Sequence, residues 1–477
     1  MTAQVRYRTQ HGGVHNALIW SQEKETEVQM MPFQAPLKKI RQAAMFITSG
    51  ILLSGCVGLP AADGTEAIII EKASVMPALT PVKGAKIDAV ARNGLLINPS
   101  VREAASVISA SADQVRVQRA ALFPGLSVAA GAGVGSGSTG KPGVDLTGSQ
   151  LLFDGGNSKR AVKLADFDLQ INYIAFQKTV DDSLLEILKI YADVQMKSEL
   201  LDVYKSQLKA LTELDKLVAE RATNGAVSSS DHLETRKRVQ SAAFLANDTQ
   251  LELGEARDRL TLLTGTPQGG RVVISTQSCK GRGETDDMRM IRLSQARAQV
   301  ALEKAEKEVT PRIALQPVVG GELGVNKLPL GLNVDVRSDF LQGGALTARA
   351  NVARNNLAGT EAKLAFVQLQ DNLKETALAR SLAAGEMKST MLKKQIELLK
   401  KTRVLYREQY FDMGTRQLSD LLDNEEEYYG RQAELAKLRT EMSLTQVQCA
   451  IRNRSLREEL KINGNSIHGY PLSSELI

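Results

Sequence analysis

The sequence predicts a mainly α-helical protein with a membrane-spanning β portion, assembled from two structural repeats per chain. Three observations carry this: an internal repeat, two long proline-free stretches, and short strand-like segments ahead of each. Ala120-Ala121-Leu122-Phe123-Pro124 is echoed by Glu308-Val309-Thr310-Pro311, and Leu152-Phe153-Asp154-Gly155-Gly156 by Phe340-Leu341-Gln342-Gly343-Gly344. Gly225 with Ser230-Asp231 is echoed by Gly414 with Ser419-Asp420. The offsets are 187, 188 and 189 in order. A register kept over such a length marks two copies of one unit.

Proline placement sets the helices. None occurs between Pro142 and Pro267, or between Pro329 and Pro471. Nothing there removes a backbone donor or clashes with a preceding turn, so very long helices are permitted. Val180, Leu184, Ile187, Tyr191 and Val194 step by 4, 3, 4, 3, and Leu201, Tyr204, Leu208, Leu211, Leu214 and Val218 continue the stripe. That heptad-like seam indicates coiled-coil packing. The first arm, 157–222, would be about 99 Å long at ~1.5 Å per residue. The loop 223–229 turns the chain, Ser230 or Asp231 caps a returning helix, and Gly265 with Pro267 ends it. An upstream helix, 98–123, supplies most of the missing length. The second copy repeats the plan, with 345–411 as the long helix and 288–310 and 420–462 as the broken one.

Between each upstream helix and its long helix lies a β-hairpin, over 126–153 and 313–340. Its strands are about ten residues, the length that crosses a bilayer as a tilted barrel strand. The alternation is weak, and each segment taken alone reads equally as a loop. Four strands cannot close a barrel, and open edges are not tolerated in lipid. Three chains give twelve strands and one closed barrel. Two give eight, a barrel filled by its own side chains. The domain plan is therefore repeat one at 98–265 (helical hairpin 157–264), a connector at 266–287, repeat two at 288–462 (helical hairpin 345–462), and a tail at 463–477.

The N-terminus reads as an export signal. Lys38-Lys39-Ile40-Arg41 precedes an apolar run, Ala43 to Leu53, too short to span a bilayer but suited to a secretory leader. It ends in Leu53-Ser54-Gly55-Cys56, which resembles the lipobox of bacterial lipoproteins, whose cysteine receives the lipid, palmitate included. The alternative is an ordinary signal peptide with a chance cysteine. Residues 1–55 form this signal region, with Met30 or Met31 as possible starts, and 56–97 a lipidated linker. Val57 after the cysteine implies sorting to the outer membrane. Cys279 and Cys449 remain, either as a disulfide in an oxidising compartment or as two free buried thiols.

The net charge of +6 shrinks to +3 beyond residue 55, and basic and acidic residues alternate along the helices. Nucleic acid is excluded as a partner on that pattern. His232 and His468 are the only histidines after residue 55. No Cys/His/carboxylate cluster has metal-ligand spacing, and Gly320-Gly321-Glu322-Leu323-Gly324 opens no helix, so no enzyme, metal or cofactor is expected.

The hairpin ending Leu152-Phe153-Asp154-Gly155-Gly156 with its repeat, the two Gly-containing helical turns, and Gly414-Thr415-Arg416 with Asp420-Leu421-Leu422-Asp423 together resemble the TolC-type outer-membrane efflux family. The match runs from about Asn98 to Asn453. The resemblance implies a trimeric channel-tunnel, with a twelve-stranded β-barrel in the outer membrane continued by an α-helical barrel across the periplasm. It implies recruitment by a periplasmic adaptor and an inner-membrane pump or ABC transporter, for efflux or type I secretion. Asp420 and Asp423 stand at i and i+3 on one helix face, where three chains would set six carboxylates around a constriction. Arg416 is expected to donate a bidentate hydrogen bond to Asp231 beside Ser230. Links of this kind hold the family's periplasmic entrance shut. Phe411 stands where the family often has tyrosine, with Tyr410 beside it. The alternatives are that Asp231 and Asp420 are only helix caps, that Glu425-Glu426-Glu427 is a solvated face, and, for the whole chain, a periplasmic coiled-coil adaptor or structural lipoprotein.

Overall fold

The chain divides into two units, 1–59 and 60–477. The structure, a computed structural model, describes residues 64–131, 134–135, 138–139, 143–275, 278–280, 283–322, 330–338 and 340–473. Cys56 and the leader lie outside the described residues.

Helix α1 (Thr65–Val75) and α2 (Ile87–Ile97) open the described chain, so the stretch expected as a linker is largely helical. Buried Val90, Ala91 and Leu95 on α2 give it an apolar face worth packing. α3 (Pro99–Ala120) starts where the Asn98 side chain accepts from the Ser100 amide and proline occupies the first turn. Strands β1 (Gly125–Gly131) and β2 (Gly143–Phe153) follow. The long α4 (Asn157–Thr223) has 67 residues, and α5 (Ser229–Thr264) returns along it. In the second repeat come α6 (Asp286–Glu306), β3 (Arg312–Glu322), β4 (Leu330–Arg337), α7 (Ala345–Phe411, again 67 residues) and α8 (Leu418–Arg452).

The last helix was expected to reach residue 462, but it stops at Arg452. Arg454 takes the left-handed conformation at φ 58°, which an α-helix cannot continue through, and a short α9 (Leu456–Glu459) follows. Its direction puts Arg457 into the core, where Nε and Nη2 bind both oxygens of Asp181 at 2.8 and 2.9 Å. The stretch expected as a free tail is packed. Ile467 and Leu472 are buried, Tyr173 donates to the Pro471 carbonyl at 2.9 Å, and Ser466 exchanges backbone hydrogen bonds with Pro77 and Leu79. N-terminal segment, C-terminal segment and α4 thus share one core.

The four strands form one antiparallel sheet in the order β1-β2-β3-β4, so β2 and β3 join the hairpins of the two repeats. The register opposes Val128 to Leu146, Leu146 to Val319 and Val319 to Leu330. Leu126, Leu315, Pro317, Leu332 and Val334 share that face, while Ser127, Asp145, Thr147, Gln316 and Asp335 lie on the other. The alternation that looks weak strand by strand is clear across the sheet. Pro317 in a central strand has no amide to give its neighbour. A Cβ on facing Gly148 would come within 2.7 Å of the proline ring, so glycine is required there.

Each strand-to-helix turn uses two left-handed glycines, Gly155 and Gly156 in one repeat and Gly343 and Gly344 in the other. Asp154 adds a cap, its carboxylate accepting from the Gly156 and Ser158 amides at 2.9 and 2.6 Å. Burial would raise that carboxyl, but the hydrogen bonds from Ser158, Gly156 and Asn157 outweigh it and hold it below the usual range.

The two long helices have unequal surroundings. α4 is covered along its length, and the seam residues Val180, Leu184, Leu211, Leu214 and Val218 are fully buried. Along α7 only Leu382, Gly385, Leu392 and Tyr410 are buried. Cys279 of the connector and Cys449 of α8 are joined in a disulfide with Cα atoms 4.6 Å apart. Arg452 fastens the same place, donating to the Cys279 carbonyl at 3.1 Å and to Asp371 of α7 at 2.8 Å. No described helix is long and apolar enough to cross a membrane.

Candidate functional site at the helical tip

The far ends of the two helical hairpins pack together around Leu211, Leu214 and Val218 of α4, Ala242 of α5, Tyr410 of α7, and Leu418, Leu421 and Leu422 of α8. Both turns use a left-handed glycine, Gly225 at φ 71° and Gly414 at φ 65°. Their apolar flanks make the tip a junction between repeats.

The polar links differ from those expected. Arg416 does not reach Asp231. Its Nε lies 3.4 Å from Asp420 in the first turn of α8, just beyond the loop that carries Arg416, and its guanidinium lies over Tyr406, 3.8 Å from the ring centroid. The two side chains meet locally, across the start of α8. Neither Ser230 nor Asp231 caps α5. Ser228 does so, its Oγ accepting from the Asp231 amide at 3.1 Å, while Ser230 is exposed and Asp231 adds negative charge to the helix's first turn.

Tyr410, not Phe411, is the buried aromatic of the pair, and its hydroxyl has no hydrogen-bond partner. Burial raises its phenol; Arg221 opposes the shift and Asp231 adds to it. The structure thus brings Asp231 and Tyr410 into one electrostatic environment without a bond between them.

Two arginines missed in the sequence make the cross-repeat links. Arg221, near the end of α4, donates to the Tyr410 and Phe411 carbonyls at 3.3 and 3.0 Å. Those are terminal carbonyls of α7, which have no helical partner of their own. The same guanidinium lies over both rings, 5.5 and 5.7 Å from their centroids. Arg238 of α5 binds Asp423 of α8 at 3.1 Å, pairs with Glu426, and is held by Glu234 at 3.0 Å. One signal was present: Arg238 and Glu426 are 188 residues apart, the repeat offset itself.

Asp420 and Asp423 share a face of α8 and are partly exposed, but each has a counter-ion within the chain. The Glu425-Glu426-Glu427 run is not a uniform solvated face either. Glu425 is fully buried against Arg403 of α7 at 2.5 Å, and that guanidinium sits between Tyr428 and Tyr429. Glu426 pairs with Arg238 and Glu427 with Arg431. Three successive positions point about 100° apart around the helix, so each finds a different arginine.

A sheet with one apolar face is thus continued by paired helices of full and broken length that end in a bonded tip. Residues 91–266 match the family model for outer membrane efflux protein. The fold matches VceC of Vibrio cholerae with TM-score 0.69 at 14% identity, covering 81% of this chain and 97% of that one. It matches CmeC of Campylobacter jejuni with TM-score 0.67 at 12% identity, over 80% and 90%. It also matches the open state of MtrE of Neisseria gonorrhoeae with TM-score 0.62 at 16% identity, over 88% and 100%. No curated protein sequence matches the chain. Over residues 91–266 the chain is thus similar to the outer membrane efflux proteins, and its fold is that of the solved outer-membrane channels.

Proposed function

We propose that three copies of this chain form an outer-membrane exit duct, lipid-anchored at Cys56 and gated at the helical tip. The observation that carries it is the sheet. Leu126, Val128, Leu330, Leu332, Val334 and Val336 are all well exposed on the chain alone and lie on one face. The edges of β1 and β4 have no pairing strand among the described residues. An apolar outer face with open edges is stable in lipid once copies pair edge to edge, giving twelve strands. Such a duct spans the periplasm with its paired helices and takes its cargo from an adaptor and an inner-membrane pump or ABC transporter.

Asp420 and Asp423, three pairs around the axis, form the constriction. Outer membranes of producing cells should yield a heat-sensitive trimer that conducts in planar bilayers. Asp420→Ala with Asp423→Ala should raise its conductance and weaken block by multivalent cations. A monomer released by urea or salt would sink the reading.

A further inference from the structure

A cavity of about 250 Å³ lies where α1, α3, α4 and the C-terminal segment meet. Ile69, Ile108 and Leu169 wall it, and half-exposed Ile70 borders it. Glu66 of α1 lines it too, although only 4% exposed. Its Oε1 pairs with Nη2 of Arg116 on α3, whose Nη1 turns to Asp113 at 3.0 Å. That leaves Glu66 Oε2 and Arg116 Nε, both shut from solvent, without a hydrogen-bond partner among the described residues. Tyr470 and Ser109, also in the lining, hydrogen-bond to each other at 2.7 Å. One buried acceptor and one buried donor therefore stand open on paired side chains, and folded proteins seldom leave such groups unmet.

We propose that this cavity binds a zwitterion with a primary ammonium beside a phosphate, the head group of an ethanolamine phospholipid. The ammonium donates to Glu66 Oε2, and a phosphate oxygen accepts from Arg116 Nε. The Glu66–Arg116 pair is neutral as a whole. A bare anion would meet Glu66 and a bare cation would meet Arg116, whereas a zwitterion gives each a charge-assisted partner. The volume falls below the about 300–1,000 Å³ of drug-sized pockets, which suits a head group whose acyl chains stay outside. The lipid source rests on the exit-duct reading, in which the sheet lies in the hydrocarbon. Arg116 stands four residues before the end of α3, about 6 Å along the axis at ~1.5 Å per residue. The head-group layer is about 5–8 Å deep on each side of a bilayer, so the depths agree. A bound lipid thereby ties α1, α3 and the C-terminal segment to the periplasmic leaflet.

Full-length protein is purified in detergent, and lipids with identical acyl chains are titrated in and counted by native mass spectrometry. The ethanolamine lipid should bind about tenfold more tightly than its choline counterpart, because a trimethylated ammonium has no N–H to give Glu66 Oε2. Glu66→Gln should bring that ratio close to one. Arg116→Lys, which lacks Nε, should weaken the binding of both lipids. Soluble O-phosphoethanolamine should bind the same site, with Glu66→Gln again as the control. Binding as tight as the lipid's would make the free zwitterion the occupant. Wild-type protein that treats the two lipids alike would overturn the proposal and leave water in the cavity. A preference that survives Glu66→Gln, or binding indifferent to Arg116→Lys, would do the same. A chain that stays monomeric in outer membranes would sink the exit-duct reading instead. The soluble arm needs no bilayer and would still decide the head-group chemistry.

Discussion

Arg457 shows how much one side chain decides in this fold. It is almost fully buried and binds both oxygens of Asp181, the Leu472 carbonyl and the Gln177 carbonyl. Burial raises the Asp181 carboxyl, and the neighbouring guanidinium opposes that. One residue thereby ties the C-terminal segment to the middle of α4. Arg457→Met should cost about 3–5 kcal/mol, because an uncompensated carboxylate stays behind, whereas adding Asp181→Asn should recover much of it. Urea unfolding of the purified protein measures both, and equal losses in the single and double variants would contradict the account. Nothing in the local sequence announces this pair, since its members are 276 residues apart. The same holds for Arg403 and Glu425, where a run of three glutamates looks solvated until the neighbouring helix supplies its arginine.

The elements were far more legible than their contacts. Absence of proline fixes α4 and α7, and a heptad seam marks α4, because both are properties of a continuous stretch of chain. Gly155, Gly156, Gly343 and Gly344 mark the strand-to-helix turns, because only a left-handed backbone makes them. The β strands were hard to read singly, since alternation over seven to eleven residues is a weak signal, and it emerges only when the register aligns four of them. The tip links were misread because residue type and proximity to the turn pointed to Arg416, while geometry uses Arg221. The two arginines should therefore behave differently. Arg221→Ala leaves two terminal carbonyls of α7 without their donor and should cost about 1–2 kcal/mol. Arg416→Ser removes a partly exposed pair within one turn and should cost less than about 1 kcal/mol. Hydrogen exchange of the amides in the last turn of α7 reads this directly. Faster exchange in the Arg416 variant than in the Arg221 variant would reverse the assignment.

At the scale of the whole molecule, the incomplete cover of α7 leaves an apolar face open to a partner. Phe366, Leu369, Leu373, Met387, Met391, Leu398 and Leu405 are all more than half exposed, and spacings of 3, 4, 14, 4, 7 and 7 keep them along one narrow side of the helix at 3.6 residues per turn. An apolar stripe of that kind is a helix face without its partner. The corresponding helix of the first repeat, α4, has its seam covered by neighbours within the chain. The two repeats therefore differ in what they leave open, and in the proposed trimer the open side of the second would face the next chain. α5 carries exposed Leu233, Phe244, Leu251 and Leu262, apolar positions on the other repeat that suit such an approach. Burying one leucine is worth about 1.5–3 kcal/mol, and in the proposed trimer it would be repeated at each of three interfaces. Leu398→Glu should accordingly abolish the trimer while leaving the fold of the single chain intact, because that side chain touches little within its own chain. Light scattering in detergent gives the mass, and circular dichroism the helix content. A variant that remains trimeric would show that α7 does not form the interface.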